Sequence, residues 1–378
     1  MKKKFLFVVV FLILTLLCGC QKYGEKNIIN DLEKKLNKSE SYHVIGVLQI
    51  TNNDDTYQYD IDASFKKDNN YRVSLTNKSN NHEQIILKNS EGVYVVTPSL
   101  NKSFKFQSDW PKNNSQIYLL QSLIEDIKND EEKVFEEIDN EYVFTTKVNY
   151  PNNPQLVKQK ITLDNDLNFK KVEVLNSNNI PQMIMEFSSI DWNSDFNDDY
   201  FDLNSIIDKI DSTELENNNE TNNSKEENNS NVNDKTQNDA TNSNDINSNE
   251  TNKPNESEEN SNTTSTIDDI IFPLYIPTGT TLTAQEKVSK VDGERIILTF
   301  DGEKPFLLVE ETTSIEDEFN IIPTFGEPYL LIDTVGALTD NSITWSSNGI
   351  DYYIVSDAMS QTELIEIASS ISAIPTIK

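Results

Sequence analysis

Apolar and polar positions alternate strictly from Tyr57 to Phe65: Tyr57, Tyr59, Ile61, Ala63 and Phe65 stand against Gln58, Asp60, Asp62 and Ser64. Successive side chains of a strand point to opposite faces, so this spacing predicts a strand with one buried and one wet face. Tyr71, Val73 and Leu75 repeat the pattern after the turn Asp68-Asn69-Asn70. Ile85 to Leu87 and Val93 to Val96 flank Asn89-Ser90-Glu91-Gly92, a hairpin signal. Phe104/Phe106, Tyr142 to Val148, Ile161 to Leu163, Val172 to Leu175 and Met183 to Phe187 continue the series. Two stretches carry the helical period instead. Ile28, Ile29, Leu32 and Leu36 make one stripe; Ile117, Leu120, Ile124 and Ile127 make another, with Ser115 placed to cap it. Many antiparallel strands and two amphipathic helices predict an α+β unit over residues 25–211, a strongly curved sheet with the helices in its concave side.

A second patterned region, residues 267–378, predicts a smaller α+β unit. Asp292-Gly293 suits a hairpin turn between Glu286–Val291 and Arg295–Phe300. Asp301-Gly302 marks another turn before Phe306 to Val309, and Ser346-Ser347-Asn348-Gly349 separates Ile343–Trp345 from Ile350–Val355. Ser360 and Glu363 form a capping box ahead of Leu364, Ile367, Ala368 and Ile371, and Pro375 closes that helix. Between the two regions the pattern vanishes. Glu216 to Ser265 holds 18 Asn, 11 acids and 3 Lys in 50 residues. Such a tract buries too little apolar surface to offset the entropy of ordering, so residues 212–266 read as a disordered linker. A flexible chain of that length spans roughly 40 Å.

The N-terminus has its own signature. Lys2 to Lys4 precede an apolar run, Phe5 to Leu17, broken only by Thr15. About 13 residues suit the core of a signal peptide and fall short of the roughly 20 that cross a bilayer. The run ends in Leu17-Cys18-Gly19-Cys20, which resembles the lipobox of bacterial lipoproteins: Leu17, Cys18 and Gly19 precede Cys20, whose thiol takes a diacylglycerol before cleavage. Residues 1–19 would leave, residues 20–24 would form the lipidated N-terminus, and the acyl chains would hold the protein on the extracytoplasmic face of the cell membrane. An ordinary signal peptide with two incidental cysteines is the competing reading.

Charge narrows the partners. The chain has 378 residues, with 63 acids against 32 Lys and Arg, for a net charge of −31. Losing Lys2, Lys3 and Lys4 with the signal peptide would make it −34. Nucleic-acid binding needs clustered cations on phosphates, so it is excluded as a function. Chemistry is sparse. His43 falls in a strand and His82 in a polar turn, and no nucleophile elbow, phosphate loop, paired-cysteine motif or zinc helix is present. Adjacent acids (Asp54/Asp55, Glu131/Glu132, Asp198/Asp199, Glu310/Glu311) are expected by chance in so acidic a chain and read as solvated faces. Asn52 to Asp55 and Asp195 to Asp199 could offer oxygens to Ca²⁺ but lack the spacing of an EF-hand loop. The expectation is no catalytic residue, no metal and no cofactor.

The order of elements resembles a family. The leading helix, the long meander, the hairpin Lys88-Asn89-Ser90-Glu91-Gly92-Val93-Tyr94, the inserted helix and the closing run Phe187–Asn193 to Phe201-Asp202-Leu203 look like the LolA/LolB superfamily of lipoprotein carriers. Trp345, the Asn348-Gly349 turn, Tyr352 and the final helix look like the small C-terminal domain of spore-former lipoproteins of the sporulation protein YdcC type. The resemblance implies a non-enzymatic protein of sporulation or germination; the germination lipoprotein GerS, similar in its first half, implies a cell-wall amidase of the spore cortex, or another envelope protein, as partner. It equally implies a lipid or lipoprotein carrier or sensor, with an acyl chain as ligand. Tyr57, Tyr59, Phe65, Tyr71, Phe104, Phe106, Met183, Met185 and Phe187 would line that groove, or simply fill it as core.

Overall fold

The computed structural model describes residues 23–52, 55–112, 115–150, 153–210, 266–267, 269–291, 293–315 and 318–372. Cys20, its lipobox (Leu17, Cys18, Gly19) and the tract 212–265 lie outside the described residues, as do Asp292 and Pro375.

Helix α1 (Glu25–Lys38) leads into a six-strand meander: β1 (Ser41–Asn52), β2 (Asp55–Lys66), β3 (Asn70–Asn77), β4 (Glu83–Asn89), β5 (Gly92–Thr97) and β6 (Lys102–Phe106). Helix α2 (Leu120–Asn129) follows, then β7 (Val134–Ile138), β8 (Glu141–Lys147), β9 (Leu156–Leu163), β10 (Phe169–Asn176) and β11 (Pro181–Trp192). β11 returns to pair with β1, which joins the two runs into one antiparallel sheet. The alternation read in β2 is realised at its centre, where Tyr59, Ile61 and Ala63 are buried while Asp60 is exposed; Ser64, read as wet, is instead buried, 3.1 Å from the Tyr200 hydroxyl. Lys66 pairs with Asn70 across a three-residue turn, in which Asp68 and Asn69 both take φ 69°, the left-handed conformation that Asn and Asp tolerate best.

Strands lie about 4.8 Å apart, so a flat sheet of this size would be roughly 50 Å wide. Yet Val95 of β5 and Phe144 of β8 share one core with Ile28 and Leu32 of α1 and with Leu120, Leu123, Ile124 and Ile127 of α2. Only a strongly curved sheet brings them together, with both helices in its concave side. The sheet is not closed: β7 ends it at one edge. Helix α2 starts later than its pattern predicts, and Ser115 does not cap it. Instead the Ser115 hydroxyl donates to Asp126 (3.0 Å) and accepts the Asn149 N–H (2.9 Å), tying the helix to the chain after β8. Behind the sheet, helix α3 (203–210) lays Leu203 and Ile206, with Phe201, on Ile85, Leu87, Tyr94 and Val96.

The second half forms a seven-stranded antiparallel sheet. Its strands are β12 (Thr280–Lys290), β13 (Gly293–Gly302), β14 (Phe306–Thr312), β16 (Glu327–Leu330), β17 (Val335–Leu338), β18 (Ser342–Ser347) and β19 (Ile350–Val355), in the order β12-β13-β14-β19-β18-β17-β16. Helix α4 (Gln361–Ser372) packs Leu364, Ile367, Ala368 and Ile371 against it. Its capping box is in place: Glu363 accepts the Ser360 N–H at 3.0 Å. One strand of this half, β15 (Asn320–Thr324), leaves its own sheet and pairs in parallel with β6 as the twelfth strand of the first.

One acidic pair departs from the solvated reading. Glu310 is fully buried, because Phe306, Leu308 and Glu310 share the inward face of β14, while Glu311 points out to Arg295 and Lys290.

Candidate functional site

The mouth of the curved sheet is occupied by the second half. The turn after β16 enters it, and Val335 and Ala337 complete the first core. Two polar side chains of the sheet hold that turn. Gln84, itself buried, accepts the Val335 N–H and the Thr334 hydroxyl (3.1 Å) and donates to Thr97 (3.3 Å). The Tyr59 hydroxyl donates to the Ile332 carbonyl. Ser108 bonds to Glu327, and the Asn320 N–H reaches the Asn101 carbonyl at 2.9 Å, setting the start of β15. A buried amide facing a backbone N–H is costly to replace, so these contacts fix how the halves meet.

Beside this junction lies a cavity of about 430 Å³, between β1, β11 and the segments flanking α2 on one side and β16 and α4 on the other. Four tyrosines, Tyr118, Tyr150, Tyr275 and Tyr329, reach it. Burial raises the hydroxyl pKa of Tyr118 and of Tyr150 well above the ordinary value and pushes that of Tyr329 up to about 12, so all three stay neutral donors. Polar side chains meet across the cavity. Gln155 donates to Glu366 of α4 at 3.5 Å, Tyr275 hydrogen-bonds the same carboxylate, and Asn153 bonds to Tyr329.

Of the nine residues read from sequence as a groove, Met183 lines this cavity. Tyr59, Tyr71, Phe106 and Met185 are buried in the first core, and Tyr57, Phe65, Phe104 and Phe187 pack against it. Rings run in contact through it: Tyr42 stacks on Phe65 and Phe65 lies tilted against Tyr71, with centroids 5.1 Å apart in each pair, and Tyr71 meets Trp110 edge-on at 5.8 Å. Two of the cavity's tyrosines had no local signal in the sequence: Tyr329 lies in β16, just ahead of the turn that Gln84 holds, and Tyr275 in the segment before β12, neither with strand alternation.

The remaining chemistry is dispersed. His43 bonds Asp62 at 2.8 Å on the outer face of β1, and the His82 ring lies 3.2 Å from the Ser99 hydroxyl, with burial lowering its pKa. Asp126 is raised to about 6 by burial, against hydrogen bonds from Ser115 and Gln159 (2.7 Å) that favour its charge. Among the described residues no group of three or more His, Cys, Asp and Glu could hold a metal ion, and no helix is long and apolar enough to cross a membrane.

No family model matches the chain. It is 32% identical over 373 residues to the sporulation protein YdcC of Bacillus subtilis (strain 168), covering 98% of this chain and 97% of that one. Among solved structures it is similar to a chain of the Pseudomonas aeruginosa MucA/MucB complex, with 12% identity, 90% of this chain and 98% of that one covered and a TM-score of 0.28. It is also similar to a chain of the complex of the CwlD amidase from Clostridioides difficile with the GerS lipoprotein, with 16% identity, 47% and 97% covered and a TM-score of 0.19.

Proposed function

The chain belongs to the family of the sporulation protein YdcC, and from that premise we propose that it is a lipid-anchored, non-enzymatic protein of the cell envelope. In this reading it docks or activates a peptidoglycan amidase of the spore cortex. The observation that carries it is the near end-to-end match to a sporulation protein, which spans both halves and the tract between them. Its place in the envelope is supported by the signal peptide and by Cys20 at the lipobox position. Two acyl chains, at about 0.8 kcal/mol per buried CH₂, would hold it stably. The negative charge, repelled by anionic lipid, would keep the domains displayed away from the surface.

The amidase as partner follows from the likeness of the first half to germination lipoproteins. A docking role also suits the architecture. A curved sheet whose mouth is filled by its own second half offers outer faces and edges, such as β7 with Val134 and Ile138 exposed, more than an open central groove. Affinity isolation of the tagged chain from sporulating cells tests this. The expected result is recovery of a cortex amidase; isolates without any wall hydrolase would refute it.

A further inference from the structure

The cavity between the halves has a lining that selects its ligand by charge. Among the described lining residues there is no Lys, Arg or His, and Glu366 is the single ionisable acid. A phosphate or carboxylate entering it would lose water, meet no cation and face a carboxylate, an unfavourable exchange. A bare acyl chain would suit Ile50, Met183 and Ile365 but would desolvate Asn153, Gln182 and Glu366 without replacing their hydrogen bonds.

A neutral ligand with apolar faces and many hydroxyls meets both demands. The C–H face of a sugar ring can lie on a tyrosine ring, and its hydroxyls can donate to a carboxylate and pair with amides. Polar groups already face one another here: Gln155 reaches Glu366 at 3.5 Å, Tyr275 lies beside the same carboxylate, and Asn153 beside Tyr329. At about 430 Å³ the space falls within the range of small-molecule sites, roughly 300–1,000 Å³. A neutral peptide is the other amphipathic ligand. The sheet edge that reaches the lining is β16, and Pro328 within it has no N–H to give a pairing strand.

We propose that this cavity binds an uncharged oligosaccharide, stacked on tyrosine rings and hydrogen-bonded to Glu366, Asn153 and Gln182. The site goes beyond the docking role and does not rest on it; either stands if the other fails. Calorimetric titration of the full chain tests it, with N-acetylchitotetraose and maltotetraose as saccharides, sodium oleate as the anionic lipid and tetra-alanine amide as the peptide. At least one saccharide should bind, and oleate should not displace it. Tyr275→Ala, at a residue 39% exposed and so free to change without unfolding the protein, should weaken binding about five- to tenfold. Glu366→Gln, which keeps the shape and removes the charged acceptor, should weaken it by a similar factor. No saccharide heat up to about 10 mM overturns the proposal, since binding that weak is below about 3 kcal/mol. So does saccharide binding indifferent to both substitutions, or binding of oleate or the peptide alone.

Discussion

Glu310 gives the sharpest test of the second half. Its carboxyl is fully buried on β14, opposite Tyr352 in the strand register, and its partner is the Ile271 N–H, at 3.1 and 3.2 Å from the two oxygens. Burial raises its pKa from 4.5 to about 7, opposed by that one hydrogen bond. The folded state therefore binds a proton that the unfolded chain has lost above pH 4.5. Stability from this group is fully present below pH 4.5 and is lost as pH rises through about 7. A rise from 4.5 to about 7 corresponds to roughly 3 kcal/mol, and structural relaxation or water entry would trim it toward about 2. Glu310→Gln mimics the neutral acid and can still accept from Ile271. Urea unfolding of both proteins between pH 4.5 and 8, followed by tryptophan fluorescence in a Trp110→Phe, Trp192→Phe background that leaves Trp345 of the same core as reporter, is the assay. The wild type should lose about 2–3 kcal/mol relative to the variant across that range. Parallel stability curves would refute the reasoning and show that Glu310 is charged in the folded protein.

Other positions report on the remaining links. Gln84→Met keeps the volume but leaves the Val335 N–H and the Thr334 hydroxyl without their shared acceptor; about 2–4 kcal/mol should be lost, measured by urea unfolding, and a change under 0.5 kcal/mol would deny that this amide fixes the junction. Gly46→Ala should destabilise by about 1–3 kcal/mol in thermal unfolding, because a Cβ there would press into the Glu186 carbonyl oxygen and Met185 at the irregularity between β1 and β11. Cys20→Ser should abolish incorporation of labelled fatty acid and leave residues 1–19 attached, since acylation precedes cleavage; unchanged labelling of the variant would exclude Cys20 as the lipidated residue.

Local pattern made much of this fold legible. The alternation of Tyr57 to Phe65 gives β2, the Asp68-Asn69 turn gives its hairpin, and Ser360 with Glu363 gives the start of α4. What was not legible is long-range. Asn320 to Thr324 is a short run containing Pro323, and nothing in it announces pairing with β6; only an edge position, as here, tolerates that proline. Nor does Gln84 stand out before the apolar run Ile85 to Leu87, although its amide holds a turn some 250 residues away. Glu310 could have been found: Phe306, Leu308 and Glu310 keep period two, and the adjacent Glu311 disguised the inward acid as one of a solvated pair. The cavity belongs with the long-range features, since its two walls come from the two halves of the chain.

The docking account is tested most directly by the cortex itself. Muropeptides from spores of a strain lacking this chain, compared with wild type and with a strain producing the Cys20→Ser form, report whether a cortex amidase has worked. The deletion should lose the amidase-dependent products, and the unlipidated form should show a marked reduction. Cortex muropeptides indistinguishable among the three strains would contradict it.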